Sequence, residues 1–146
     1  NDILELHKLF YEKIDEGNAG KYRNIEIIIS GSKYSFPKPK EIPLLMKEYE
    51  KGILKYIKEN HPVIAGIKAH KDFVNIHPFV DGNGRVARLI MNLILLQNRY
   101  NITIIPTVLK AEYISALEKA HTNDNAFTIL ILKCLIESQK EWLRLF

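Results

Sequence analysis

His77-Pro78-Phe79-Val80-Asp81-Gly82-Asn83-Gly84-Arg85-Val86-Ala87-Arg88 is the stretch whose reading decides the fold. A histidine stands four residues before a carboxylate, and a Gly-Asn-Gly triplet then opens a run carrying arginines three residues apart. The glycines permit a tight turn and a close approach of backbone to ligand, and successive N–H groups in such a turn form an anion-binding concavity. That concavity falls at the positive end of the helix that follows, a ready place for phosphate. Arg85 and Arg88 leave the helix on one side and can grip further phosphate oxygens. Asp81 offers a hard oxygen suited to Mg²⁺, which usually takes one or two carboxylates plus substrate phosphates. His77, with an unperturbed pKa of about 6.5, is mostly neutral near pH 7 and can accept a proton. A base, a cation ligand and an anion cradle in one short loop describe a site for phosphate transfer.

A surface histidine, a capping aspartate and a plain glycine turn would account for His77, Asp81, Gly82 and Gly84 taken singly. That alternative must explain every polar and glycine position at once. Zinc fits less well, because no second His or Cys stands at ligand spacing from His77 and Cys134 is alone.

The same twelve residues resemble the signature of the Fic family, H-x-F-x-[D/E]-G-N-G-R-x-x-R, at every fixed position. The resemblance implies a mostly α-helical domain with one small β-hairpin flap, and transfer of AMP from ATP to a Ser, Thr or Tyr hydroxyl of a target protein. It implies His77 as the general base, Asp81 as the Mg²⁺ ligand, and Gly82, Asn83, Gly84, Arg85 and Arg88 as the ATP phosphate site. In the family a G-x-Y-R stretch, a flap over the active site, prolines and a V/I-P-x-x-M helix follow one another. Here Gly20-Lys21-Tyr22-Arg23 and Ile42-Pro43-Leu44-Leu45-Met46 match in order. The flap then spans residues 24–37, and Ile27, Ile28, Ile29, Ser30, Gly31 and Ser32 are its target-docking edge, pairing an extended segment through backbone hydrogen bonds. Tyr113 resembles a tyrosine near the adenine pocket of some relatives, with core packing as the alternative.

Within the family, the death-on-curing toxins, which act as kinases, depart at the glycine and at the positions of Arg85 and Arg88, and this chain departs at neither. Removal of AMP is a second possible activity of the same loop, as is transfer of another phosphate-containing group. The inhibitory helix of pattern [S/T]-x-x-x-E-[G/N] that supplies a glutamate in many relatives has no match here. Restraint by such a helix or by an antitoxin-like partner is therefore expected from outside this chain. An inactive interaction module is the alternative of another class; it needs neither His77 nor the cradle.

Composition bounds the rest. At 146 residues the chain fits a single domain able to bury a core without staples. Hydrophobic content of 47% beside 26% charged residues is ordinary for a globular protein. A single cysteine rules out an internal disulfide and suits a reducing, cytoplasmic compartment. No apolar run approaches the roughly 20 residues that span a bilayer and no signal peptide is visible, so no membrane partner is expected. The net charge of +4 is spread over scattered lysines and not massed on a stripe, so nucleic acid is not an expected partner and attraction to ATP explains part of the charge. The chain begins at Asn1 rather than Met, as a fragment of a longer protein would.

Along the chain, Asp2 opens a helix marked by Ile3, Leu6, Phe10 and Ile14, ended by the residues from Gly17 to Gly20. Ile25 to Ile29 reads as a strand, Ser30-Gly31-Ser32 as a turn, and Lys33 to Phe36 as a returning strand stopped by Pro37 and Pro39. A helix with Pro43 in its first turn follows, which Gly52 ends or bends. Pro62 begins another, carrying His70, read as a packing residue with orientation of the loop from behind as the alternative. From Gly84 the next helix is apolar on nearly every side, which predicts a buried central helix. Ile102 to Ile105 is an extended connector, Thr107 caps a helix to about His121, and Phe127, Leu130, Ile131, Cys134 and Leu135 trace the stripe of a last helix ending near Trp142. No repeat or linker divides the chain.

Overall fold

The computed structural model describes residues 2–28 and 32–145, which form six α-helices and two single 3-10 turns, Pro39–Glu41 and Thr107–Leu109. Helix α1 is Asp2–Tyr11. Helix α2, Ile42–Glu59, places Pro43 in its first turn, where the missing N–H leaves no helical bond unmade. Helix α3, Pro62–Ile76, is capped by His61, whose side chain accepts from the Val63 N–H. Helix α4, Asn83–Gln97, follows a cap at Gly82. Helices α5, Lys110–Lys119, and α6, Asn125–Leu143, complete the order.

Helices α3 and α4 form the centre, joined by the loop quoted above. They approach so closely that a Cβ at Gly66 would stand 3.3 Å from Met91 Cγ. Each contributes to two cores. On one side Ile42, Met46 and Tyr49 of α2 meet Phe73, Phe79, Val86 and Ile90. On the other, Phe127, Leu130 and Ile131 of α6 meet Val63, Ile67, Met91 and Leu95. A fully buried aromatic or aliphatic side chain of this kind contributes about 1.5–3 kcal/mol. The loop between the two central helices is thus anchored from both sides before any ligand arrives. No helix of the described residues is long and apolar enough to cross a membrane.

Three expectations are corrected. The hairpin flap over residues 24–37 is not seen: the described residues contain no strand, while Ile29, Ser30 and Gly31 lie outside them. The two limbs take partners on the body instead of pairing with each other. Arg23 donates to the Ile25 and Pro37 carbonyls at 2.9 and 2.7 Å, and Glu118 accepts from Ser32 Oγ at 2.9 Å and from the Lys33 N–H at 2.7 Å. Strand propensity reflects packing on a sheet face, and a lone two-stranded hairpin has little of it.

Gly52 does not end α2, which runs through it from Ile42 to Glu59. A glycine costs a helix about 1 kcal/mol relative to Ala, less than the buried face of Ile42, Met46 and Tyr49 returns. Helix α4 is central but not covered all round. Val86, Ala87, Ile90, Met91, Ile94 and Leu95 are buried, whereas Leu93 and Leu96 are each 53% exposed. An all-apolar helix tells which residues could be covered, not which side has a neighbour.

Candidate active site

His77 ends α3 in the left-handed region, at φ 51° and ψ 59°, while its N–H still bonds the Phe73 carbonyl. A non-glycine residue held there costs about 1–3 kcal/mol and persists only where its surroundings impose it. Arg23 imposes it. Its buried side chain donates from Nε to the His77 carbonyl at 2.8 Å, and its backbone N–H donates to the Pro78 carbonyl at 2.9 Å. The same side chain holds the Ile25 and Pro37 carbonyls, so one arginine ties the loop after α3 to both limbs of the segment between α1 and α2.

The kinked backbone turns the His77 ring into a cleft of about 280 Å³ bordered by Phe36, Val74, Gly84, Tyr113 and Leu117. Its Nδ1 lies 3.2 Å from the Val74 carbonyl. A carbonyl only accepts, so Nδ1 carries the proton and Nε2 keeps its lone pair. Burial, helped by the Arg23 charge, holds the His77 pKa below its ordinary value. The imidazole is therefore neutral at pH 7, in one tautomer, with no partner on Nε2 among the described residues.

The rest of the loop is braced from inside. Phe79 is fully buried, and the Asn83 side chain clamps it by accepting from the Phe79 N–H and donating to its carbonyl, each at 2.9 Å. The Asn83 side chain thus faces inward, leaving only its backbone N–H for a ligand. His7 of α1 stacks on Phe79 with ring centroids 3.8 Å apart. Its Nδ1 accepts from the Gly20 N–H at 2.9 Å, so its Nε2 is the donor to the Asp81 carbonyl at 3.1 Å. Gly82 has φ +84° and would place a Cβ 3.1 Å from that same Nε2, so no side chain fits there. At Gly84 a Cβ would lie 3.5 Å from Arg88 Nη1, which locates the guanidinium over the opening turn of α4, at the helix's positive end.

The two arginines differ. Arg85 bonds Asp81 Oδ2 at 2.9 Å and lies over the rings of Phe10 and Tyr11, 5.1 and 5.7 Å from their centroids. Arg88 forms no ion pair among the described residues. It borders a larger cleft of about 570 Å³ with Phe10, Leu89, Ile102 and Ile104, and a smaller one with Tyr113 and Lys110. Asp81 is exposed, and Tyr11 reaches its Oδ2 only at 3.5 Å. No cluster of three potential metal ligands exists among the described residues. One exposed carboxylate fits Mg²⁺ that takes its remaining ligands from phosphates and water, the usual arrangement for nucleotide-bound Mg²⁺.

The residues singled out from sequence therefore fall together at one place: His77, Asp81, Gly82, Asn83, Gly84, Arg85 and Arg88 at the junction, Tyr113 across the cleft. Ile27 and Ile28 stand apart from it on the segment between α1 and α2, with Ile28 96% exposed. Their backbone groups bond nothing among the described residues. Ser32 turns inward to Glu118, Tyr34 stacks on His121 at 3.9 Å, and Phe36 packs 4.8 Å from the His77 ring. His7 and Tyr11 escaped the reading of the sequence. A polar His7 inside the apolar stripe of α1 was the one signal available for it.

An all-helical domain whose central helix pair carries a braced, glycine-rich loop defines the class. The chain belongs to the Fic/DOC family, whose model matches residues 1–95. It is 36% identical over 135 residues to the protein adenylyltransferase Fic of Drosophila erecta, covering 91% of this chain and 27% of the relative. Among solved structures, C. elegans Fic-1 superposes with a TM-score of 0.84 at 26% identity, over 99% of this chain and 42% of that one. A Fic family protein from Desulfovibrio desulfuricans gives a TM-score of 0.76 at 28% identity, over 98% and 46% of the two chains. The chain spans about a quarter of the length of the curated relatives it matches.

Proposed function

We propose that this domain transfers AMP from ATP to a Ser, Thr or Tyr hydroxyl of a target protein. The observation that carries the reading is the basic Nε2 of a neutral His77 held beside an open helix N-terminus and Arg88, which forms no ion pair among the described residues. Relatives bearing the name protein adenylyltransferase support the same chemistry. His77 Nε2 takes the proton from the target hydroxyl as that oxygen attacks the α-phosphorus. The bond from the α-phosphorus to the bridging oxygen breaks, and pyrophosphate leaves with the electron pair. Backbone N–H groups of Asn83 and Gly84 cradle the α- and β-phosphates, and Arg85 and Arg88 take the outer phosphates. Fixed donors of this kind, facing charge as it develops, supply most of the rate enhancement in phosphoryl chemistry. Asp81 is the residue that would hold Mg²⁺, which would supply positive charge against the phosphates. Arg85 releases Asp81 to do so, since an exposed ion pair contributes about 0–1 kcal/mol.

The Tyr113 ring borders the cleft in which the base lies. Ile27 and Ile28 offer the target an edge of backbone, and its hydroxyl reaches His77 beneath Phe36. Restraint comes from an inhibitory helix or an antitoxin-like partner that contributes a carboxylate to Arg88. The test is incubation with Mg²⁺, a cell lysate and ATP labelled at either the α- or the γ-phosphate. Protein-bound label from α-ATP alone is the expected result. Label from γ-ATP would mean a kinase, and none from either would mean an interaction module.

A further inference from the structure

We propose that His7 is a positioning residue for the anion cradle: it locks the Asp81–Gly82 peptide so that the Gly82 N–H faces the phosphates. The inference rests on the phosphate-site reading above. His7 lies on α1 and is only 1% exposed. Rings hold it in place, with Phe79 stacked at 3.8 Å, Tyr11 stacked at 4.7 Å and Phe10 edge-on at 5.4 Å. An apolar side chain would fill that place without the cost of burying polar atoms. Both ring nitrogens are nevertheless used. Nδ1 accepts from the Gly20 N–H at 2.9 Å, so the proton is on Nε2, which donates to the Asp81 carbonyl at 3.1 Å.

The second bond falls on the peptide of the loop that most needs it. In a planar trans peptide the C=O and the N–H point in opposite directions. With the Asp81 carbonyl drawn inward to α1, the Gly82 N–H points away from α1. It donates to nothing among the described residues, and neither do the N–H groups of Asn83 and Gly84 that follow it. Gly82 is buried, so a donor left free there requires an acceptor from outside the chain. Its φ of 84° and ψ of −2° are those of the third residue of a type II turn. Turns of types I and II differ by a flip of their central peptide, and glycine takes either sign of φ at little cost. That flip would aim a carbonyl at the phosphates and hide the donor. A bulkier residue cannot stiffen the turn, because a Cβ at Gly82 would stand 3.1 Å from His7 Nε2 and 3.2 Å from Phe10 Cζ. The lock must come from another element, and α1 supplies it through His7.

Substitutions separate the two bonds of His7. An asparagine amide reaches the place of Nδ1 and a glutamine amide the place of Nε2. His7→Asn therefore keeps the acceptor for Gly20, and His7→Gln keeps the donor to Asp81. His7→Phe keeps the stacked ring and neither bond. Calorimetry on the full chain with inorganic tripolyphosphate reads the cradle, and thermal midpoints read folding. His7→Phe and His7→Asn are expected to bind tripolyphosphate about tenfold more weakly, the scale of one hydrogen bond to a charged group. His7→Gln is expected to stay close to the parent. A merely structural role predicts instead that affinity tracks the thermal midpoint and that Gln rescues no better than Asn; either result would overturn the proposal, as would unchanged affinity in His7→Phe. If the variants do not fold, the unmutated protein carries the test, through ¹H–¹⁵N spectra recorded as tripolyphosphate is added. The Gly82 amide is expected to shift together with those of Asn83 and Gly84. A Gly82 amide that stays still while tripolyphosphate binds would overturn the proposal and leave the phosphate site standing. Failure of the parent to bind tripolyphosphate would remove the phosphate site itself, and this proposal with it.

Discussion

His77 is a base only in one protonation state, and its surroundings decide which. Burial and the Arg23 charge lower its pKa, against the smaller opposing pull of Asp81 and the Val74 carbonyl. The neutral form then persists to lower pH than in a free histidine, whose pKa is about 6.5. Transfer measured as kcat/KM should rise with pH and level off, with the acid limb centred below 6.5. A limb centred above 6.5 would contradict the assignment. Arg88 makes the second prediction at this scale. Arg88→Ala should cost about 1.5–3 kcal/mol of ATP affinity, the range for a hydrogen bond to a charged group. Isothermal calorimetry with unchanged affinity would remove Arg88 from the phosphate grip.

Among elements, the helices followed their periodicities and the segment between α1 and α2 did not. Ile3, Leu6 and Phe10 mark α1, and Phe127, Leu130, Ile131, Cys134 and Leu135 are all buried on α6, because a helical stripe is a property of the element itself. Ile25 to Ile28 has the residues of a strand but no sheet to join; Arg23 and Glu118 hold the limbs through contacts that no local pattern encodes. The exposed Ile28 remains the feature for a target to meet. Replacing Ile28 with Pro removes a backbone donor there. Target modification should fall while ATP affinity and the thermal midpoint hold. Parallel loss of ATP binding would mean that the segment serves the cleft and not the target.

For the whole molecule, the loop from His77 to Arg88 was legible from sequence because its chemistry is local. Its braces were not. His7 reaches Asp81 across 74 positions, and Tyr113 reaches His70 across 43; such pairings appear only once two cores have closed around α3 and α4. The same closure makes stability depend on pH. His7, His70 and His77 all have lowered pKa values in the folded chain, His70 to about 3. Below about 6.5 the unfolded chain binds protons that the folded chain refuses, so stability falls as pH drops from there toward 3. The urea midpoint should decline between pH 7 and pH 5, before carboxylates titrate, and His70→Leu should flatten the slope. A midpoint constant across that range would contradict the burial of neutral histidines.

The central claim is that a neutral His77 takes the proton while other groups hold the nucleotide. It is tested most directly by comparing the parent with His77→Ala for rate of AMP transfer and for ATP affinity in parallel. Loss of a general base predicts transfer slower by about 10²–10⁴-fold, with ATP affinity unchanged. A His77→Ala protein that transfers AMP as fast as the parent, or one that loses ATP binding along with transfer, would contradict it.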